Sequence, residues 1–189
     1  VDEERYFADA FTIGYDASVL KDRNMTRRRR LLMTKGIESY IPSLIKEFFF
    51  YRKARATIGV DGKFFSKKIY NLIVKNTRTY AGRFVLNERI KGNDGKLDVF
   101  LFNQGVHYWS ELGTQITKQV SEVTDPTGIS KSIVDTVIKN YEDYQAREVE
   151  IALSAEVDSQ VDGEQYRTAD HFTVRCIRRA LTLQVPYPY

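Results

Sequence analysis

Three short stretches carry carboxylates at positions where a carboxylate can do chemistry: Ile13-Gly14-Tyr15-Asp16-Ala17, Asn93-Asp94-Gly95-Lys96-Leu97-Asp98 and Gln160-Val161-Asp162-Gly163-Glu164. A carboxylate held on a turn between strands can receive a proton or ligate a hard cation, because the flanking strands fix its position while it reaches outward. Each stretch alone also has a plain explanation, since Asp-Gly is a preferred turn dipeptide whether or not chemistry occurs nearby. Asp61-Gly62 is the control within the chain: the same dipeptide, with no acidic neighbour and no assigned role. Other chemistries are poorly supplied. One cysteine, Cys176, and two histidines, His107 and His171, leave no zinc set and no internal disulfide. Neither GxxxxGK[ST] nor GxGxxG occurs, so the chain has no glycine-rich phosphate cradle of those types.

The elements that must position these residues read as follows. Tyr6 to Asp16 alternates loosely and is expected as a strand ending at Gly14, followed by helices from Ala17 to Lys35 and from Ile37 to Arg52. In the second helix, Phe48 and Phe49 are expected in the core, and Phe50 is open. Strands are expected over 55–60 and 64–65, joined by the Asp61-Gly62 hairpin turn, then over 68–76, 83–86 and 97–102. His107 to Val123 and Ser130 to Gln145 show helical spacing, broken by Asp125-Pro126-Thr127-Gly128. Strand character returns at 149–153, 160–167, 172–177 and 180–185. Trp109, His107 and His171 are expected to be structural. The fold class expected is α+β, mostly β: an antiparallel, β-sandwich-like body with inserted helices. It forms one domain over 1–189, with a helical insertion at about 105–146.

The 189 residues include 29 basic and 25 acidic side chains, giving a net charge of +4. The pI is near 9.0 and the mean hydropathy is −0.41. This balance suits a globular chain and is compatible with nucleic acid, anionic lipid headgroups or phosphate esters as partners. No stretch approaches the ~20 apolar residues of a membrane span. The start, Val1-Asp2-Glu3-Glu4-Arg5, lacks a signal-peptide pattern and reads as a mid-protein boundary. A single cysteine fits a reducing compartment, so the expected location is cytoplasmic.

Taken together and in order, these stretches resemble the diacylglycerol kinase, sphingosine kinase and bacterial lipid kinase superfamily, in its C-terminal domain. Gly14, Asp16 and Ala17 look like that family's "GxGFDA" segment, and Lys35-Gly36 with Tyr40 like its "KxG…Y" stretch. Val74-Lys75-Asn76 resembles a strand that ends in Asn before a glycine-rich loop. Asp94-Gly95-Lys96-Leu97-Asp98 matches "DGxLD", and Asp162-Gly163-Glu164 matches "DGE". NAD kinases share a distant architecture, but these pieces look like the lipid branch. Two departures touch substrate access: only Tyr80-Ala81-Gly82-Arg83 follows the Asn loop, and the segment from Gly105 to Gln145 is longer than usual.

The resemblance implies a lipid kinase that transfers the ATP γ-phosphate to a lipid hydroxyl, by positioning and electrostatic stabilisation. It implies Glu164 as proton acceptor, with Asp162 as its neighbour. It also implies Mg2+ at Asp94, with main-chain oxygens at Lys91 and Lys96. ATP would be the co-substrate, held mainly by an N-terminal domain bearing a "GGDGT" loop that this chain lacks. The chain alone is therefore expected to be inactive. The expected partners are a lipid alcohol, a membrane surface touched in part by Arg27 to Arg30, and a second copy of the chain as a compatible homodimer. Nucleic acid is not expected. The competing reading is a non-catalytic lipid- or protein-binding module that has kept the fold, and the altered loop near Gly82 favours it.

Overall fold

The computed structural model describes residues 4–29, 37–80, 84–87, 89–113 and 141–180. The body is a single large sheet of β-branched and aromatic-rich strands. It comprises β1 (Ala10–Gly14), β2 (Ala54–Val60), β3 (Lys63–Ile69), β4 (Asn71–Lys75), β7 (Leu97–Phe102), β8 (Glu142–Ala146), β9 (Glu148–Val161) and β10 (Glu164–Arg175). A separate two-stranded ribbon pairs β5 (Thr79–Tyr80) with β6 (Phe84–Val85). The strand order is β3-β2-β9-β1-β4-β7-β8, with β10 on the other edge of β9, and every pairing is antiparallel.

Side chains alternate across the strands, so β1, β4 and β7 each feed two cores. Phe11, Ile13, Leu72, Val74, Val99 and Leu101 join Ile58, Ile151 and Phe172 in one cluster. Ala10, Ile73, Phe100 and Phe102 turn the opposite way and meet Tyr15, Val19 and Tyr108 in the other. The first cluster is enclosed because the sheet curls until its edges face each other. Phe65 on β3 lies 5.2 Å from Tyr144 on β8, ring centre to ring centre, and Lys67 pairs with Glu142 across the same gap. The second cluster is covered by α1 (Tyr15–Arg29), a 3-10 turn (Ile37–Tyr40), α2 (Ile41–Phe50) and a helix over 105–113.

The antiparallel, β-sandwich-like body with inserted helices is thus present, with local differences from the sequence reading. The first strand starts at Ala10 rather than Tyr6, because the N–H groups of residues 8–10 bond to the Asp162 carboxylate. It ends at Gly14 as expected, and α1 starts at Tyr15 rather than Ala17. The expected strand over 68–76 is interrupted at Tyr70, whose carbonyl accepts the Tyr15 N–H at 3.0 Å while its ring stacks on Tyr15. The two expected strands over 149–153 and 160–167 form one 14-residue strand, β9, with β10 starting at Glu164. Residues 142–146, expected to end a helix, form β8 because β7 offers its free edge to them. Phe48 and Phe49 are exposed, not core. The second expected helix before residue 141, the strand over 180–185 and the side chains of Arg27 to Arg30 lie outside the described residues.

One glycine decides how α1 leaves the sheet. Gly14 has φ +109°, and a Cβ there would sit 2.6 Å from the Tyr70 carbonyl oxygen. Gly62, at φ +82° in the β2–β3 turn, has open space around it. Gly14→Ala therefore suffers both backbone strain and a collision with main chain. It should lose at least about 2 kcal/mol in urea unfolding, whereas Gly62→Ala should lose only about 1 kcal/mol. Equal losses for the two would show that the close approach at Gly14 is not what fixes this junction.

Candidate functional site

The end of the sheet where β1 begins is also where β4 and β9 end and where β7 starts. Ala10 is opposite Lys75, Phe11 opposite Val161, and Lys75 opposite Asp98. The turns after β4, before β7 and after β9 are therefore forced to lie side by side.

The β9–β10 turn is a tight hairpin with Asp162 at φ +49° and Gly163 at φ +80°. Asp162 spends its carboxylate on main chain. Oδ2 accepts the Ala8 N–H, and Oδ1 accepts those of Asp9 and Ala10, all at 2.9 Å. Its own N–H donates to the Ala10 carbonyl at 2.8 Å. The control turn does the same: Asp61 Oδ1 accepts the N–H groups of Arg147 and Glu148 at 2.8 and 3.0 Å. Asp162 is thus a clamp joining the turn to the segment before β1. Glu164, two residues later, is exposed at the first position of β10, and its carboxylate has no hydrogen bond or ion pair among the described residues.

The clamped segment continues the chain of contacts. The Asp9 carbonyl accepts the Asn76 N–H at 2.9 Å. The Asp9 carboxylate meets the Lys75 ammonium at 2.9 Å and also accepts the Thr77 hydroxyl. Lys75 has no exposed surface and makes one further bond, to the Thr79 carbonyl at 2.6 Å. Burial pulls its pKa below the ordinary lysine value, and Asp9 opposes that shift. Asn76 in turn packs on the next turn, since a Cβ on Gly92 would lie 2.8 Å from the Asn76 carbonyl oxygen.

That turn holds Lys91, Asp94 and Lys96. Asp94 donates its N–H to the Lys91 carbonyl at 3.4 Å, and its Oδ1 accepts the Lys96 N–H at 2.9 Å. Asp98 follows on β7 and is buried. Its Oδ1 accepts from Gln145 at 3.1 Å, and its Oδ2 has no partner. Burial raises its pKa, and the Asp94 and Asp143 charges add to the effect. Among the described residues no three His, Cys, Asp or Glu side chains form a metal cluster. A cation here would instead use Asp94, carbonyl oxygens of the turn and the field of Asp98. That all-oxygen donor set suits a hard divalent ion, and the orphaned Asp98 oxygen is the feature such an ion would offset.

Asp16 lies elsewhere, at the opposite end of β1. Its buried carboxylate accepts from Tyr108 at 2.6 Å, Asn71 at 2.7 Å and Tyr80, while its N–H donates to Asn71 Oδ1 at 3.3 Å. Burial raises its pKa against these three donors. Such a group, sealed and fully bonded, holds structure.

The model of the YegS C-terminal NAD kinase beta sandwich-like domain matches residues 10–185, nearly the whole chain. The chain belongs to this family. Solved structures share the fold. The chain superposes with a TM-score of 0.55 at 16% identity on a protein of Bacillus anthracis str. Sterne provisionally described as a diacylglycerol kinase, covering 89% of this chain and 50% of that one. Two further structures from the same organism, one again provisionally described as a diacylglycerol kinase and one described as a diacylglycerol kinase, give 0.49 at 14% identity and 0.46 at 13%, covering 89% and 90% of this chain. At these identities the likeness concerns fold alone. The chain spans about half the length of these proteins. No curated protein matches the sequence.

Within the YegS-type frame, Asn76, Asp94 and Glu164, from three separate motifs, lie at one end of the sheet, and Asp16 does not. Lys75 and Asp9 were not singled out from sequence. The signal for Lys75 is a lysine directly ending the apolar run Leu72-Ile73-Val74, and Asp98 gives a similar signal inside Leu97 to Phe102.

Removing the Asp9 charge tests how this end is held. A lysine pKa lowered by folding means that the unfolded state binds the proton more readily. Stability therefore rises with pH between the lowered value and 10.5. Asp9→Asn strips the compensating charge from a buried ammonium. The expected loss is about 2 kcal/mol near neutral pH, less than for a fully buried pair because Asp9 is half exposed. In urea titrations that deficit should shrink as pH rises towards 10. A deficit constant with pH would assign the loss to the Thr77 bond.

Proposed function

We propose that this chain is the substrate-side domain of a lipid kinase that transfers the γ-phosphate of ATP to a lipid hydroxyl. One observation carries the proposal: the turns bearing Asn76, Asp94 and Glu164 lie together at one end of the sheet, though they stand far apart in sequence. Membership of a kinase-related family supports it.

In this reading Glu164 receives the proton of the attacking hydroxyl. Its carboxylate is the unengaged one of the β9–β10 turn, and strands on both sides hold it in place. Asp162 shares the site by fixing that turn to residues 8–10. Asp94, with main-chain oxygens at Lys91 and Lys96, would hold Mg2+, and Asp98 supplies further negative charge beside it. The ion, when bound, would supply charge neutralisation near the phosphates. Lys75 and Asp9 keep the Asn76 backbone in register with both turns. ATP would be held mainly by a further domain of the parent protein, and the isolated chain would be inactive. A cytoplasmic location, with the enzyme working at a membrane surface, follows from the substrate class. Among the described residues no helix is long and apolar enough to cross a membrane.

A non-catalytic lipid- or protein-binding module is the second reading. It is favoured by Asp162, which commits both oxygens to main-chain N–H groups and leaves one free carboxylate where the motif offers two.

Phosphate transfer from ATP to diacylglycerol, sphingoid bases, ceramide and polyprenols separates the two when measured on the full-length parent. One lipid should be phosphorylated, and Glu164→Gln should lower kcat at least about 100-fold with an unchanged unfolding midpoint. Asp162→Ala should instead lower the midpoint, since three N–H groups lose a charged acceptor. A folded parent that phosphorylates none of these lipids with magnesium present would move the binding module ahead.

A further inference from the structure

Helix α2 is amphipathic, but its apolar stripe faces outward. Tyr40, Leu44 and Tyr51, spaced at one helical face, pack against the Tyr15 and Tyr108 cluster, with Ser43 buried beside them. Ile41, Ile45, Phe48 and Phe49 share the other face at positions i, i+4, i+7 and i+8, and they are 50%, 56%, 52% and 73% exposed. Phe48 and Phe49 meet edge to face, so they form one continuous apolar ridge. Exposed aromatic surface of this extent on one helix needs an occupant.

The surroundings indicate which. Immediately after α2 come Arg52 and Lys53, both exposed. Lys53 lines an open groove of about 330 Å³ with Lys67, Lys68, Asn103 and Gln104. Lys67 is paired with Glu142, whereas Lys53 and Lys68 have no acidic partner among the described residues. The outward face of α2 carries no acid: Glu47, its one carboxylate, lies towards Lys46 on the inward side and is half-buried. An apolar ridge bordered by unpaired cations, with amides beside them, matches a bilayer interface of anionic lipid. Acyl chains receive the aromatic rings there, and headgroup phosphates meet the lysines.

We propose that α2 is an interfacial membrane anchor, with Ile41, Ile45, Phe48 and Phe49 entering the acyl boundary and Lys53 and Lys68 contacting anionic headgroups. The geometry stands apart from the kinase reading, because it involves neither Glu164 nor the Asp94 turn. Those lie at the far end of the sheet from the Gly14–Tyr15 junction against which α2 packs.

The test is co-sedimentation of the 189-residue chain with vesicles of phosphatidylcholine, with and without about one-third phosphatidylserine, in the absence of ATP. The chain should bind the anionic vesicles, and more weakly as salt rises. Phe48→Ser combined with Phe49→Ser should lower partitioning at least about tenfold, and each of Lys53→Glu and Lys68→Glu about fivefold or more. Ile177→Ser, an exposed apolar site at the opposite end, is the control and should bind like the parent chain. Trp109, the single tryptophan, touches Phe48 at 6.1 Å, so its emission should change when vesicles are added. No binding to anionic vesicles, or undiminished binding by the double phenylalanine variant, overturns the proposal. So does a dimer in sedimentation equilibrium that the double variant dissolves, since a second copy would then be the occupant.

Discussion

The buried carboxylate of Asp16 is the point through which the helical layer and the sheet are joined. Taking a carboxylate out of water is costly unless every lone pair finds a donor, and here the donors come from three distant segments. Asn71 opens β4, Tyr80 belongs to the small ribbon, and Tyr108 lies on the helix over 105–113. None of these groups can move far without leaving charge unpaired in an apolar setting. The carboxylate also sits in the first turn of α1, where main-chain N–H groups favour negative charge. The close approach at Gly14 brings it there, because a side chain at that position would push Tyr15 off the Tyr70 carbonyl.

With one end of the sheet sealed in this way, the other end is free to carry exposed polar turns. The same device fixes two of them: an aspartate at positive φ whose oxygens take main-chain N–H groups of a neighbouring segment. Asp61 and Asp162 do identical work, though only one belongs to a motif with an acidic neighbour. What distinguishes the β9–β10 turn is therefore Glu164, since the aspartate is already committed. A turn made rigid by one carboxylate can present a second with little conformational cost, which is what a proton acceptor at a fixed distance requires.

The sheet and its antiparallel character were legible because alternation and turn dipeptides are local signals, and the Asp61-Gly62 and Asp162-Gly163 hairpins fall where those dipeptides stand. The motif residues Asn76, Asp94 and Glu164 were legible too, but as separate stretches. Their adjacency arises from β4, β7 and β9 sharing an end, and pairing order is not written in any one strand. Residues 142–146 read as the tail of a helix because Tyr141 continues a helical spacing, and the free edge of β7 overrides it. Phe48 and Phe49 read as core for a related reason. Periodicity reports that a helix has an apolar stripe, but not which of two stripes meets the sheet. In α2 the aromatic cluster at Tyr40, Leu44 and Tyr51 takes that place.

Electrostatics at the site end follow from where Lys75 goes. Lys75 and Asp98 are opposite each other on β4 and β7, so their side chains emerge on one face, and a direct ion pair would be the simple arrangement. Instead the ammonium is drawn to Asp9 and the Thr79 carbonyl, and Asp98 settles for one amide from Gln145. The outcome is asymmetric: the lysine is satisfied, while the carboxylate keeps an unbonded oxygen close to Asp94 and Asp143. The Asp94 and Asp143 charges add to that of Asp98 and Lys96 opposes them, while the Arg178 guanidinium packs over Gly95 in the same turn. A fold that needed Asp98 only for packing would gain by spending Lys75 on it or by replacing it with an apolar residue. Retaining the unpaired carboxylate is costly to the free domain, and a divalent cation at the adjacent turn would offset that cost.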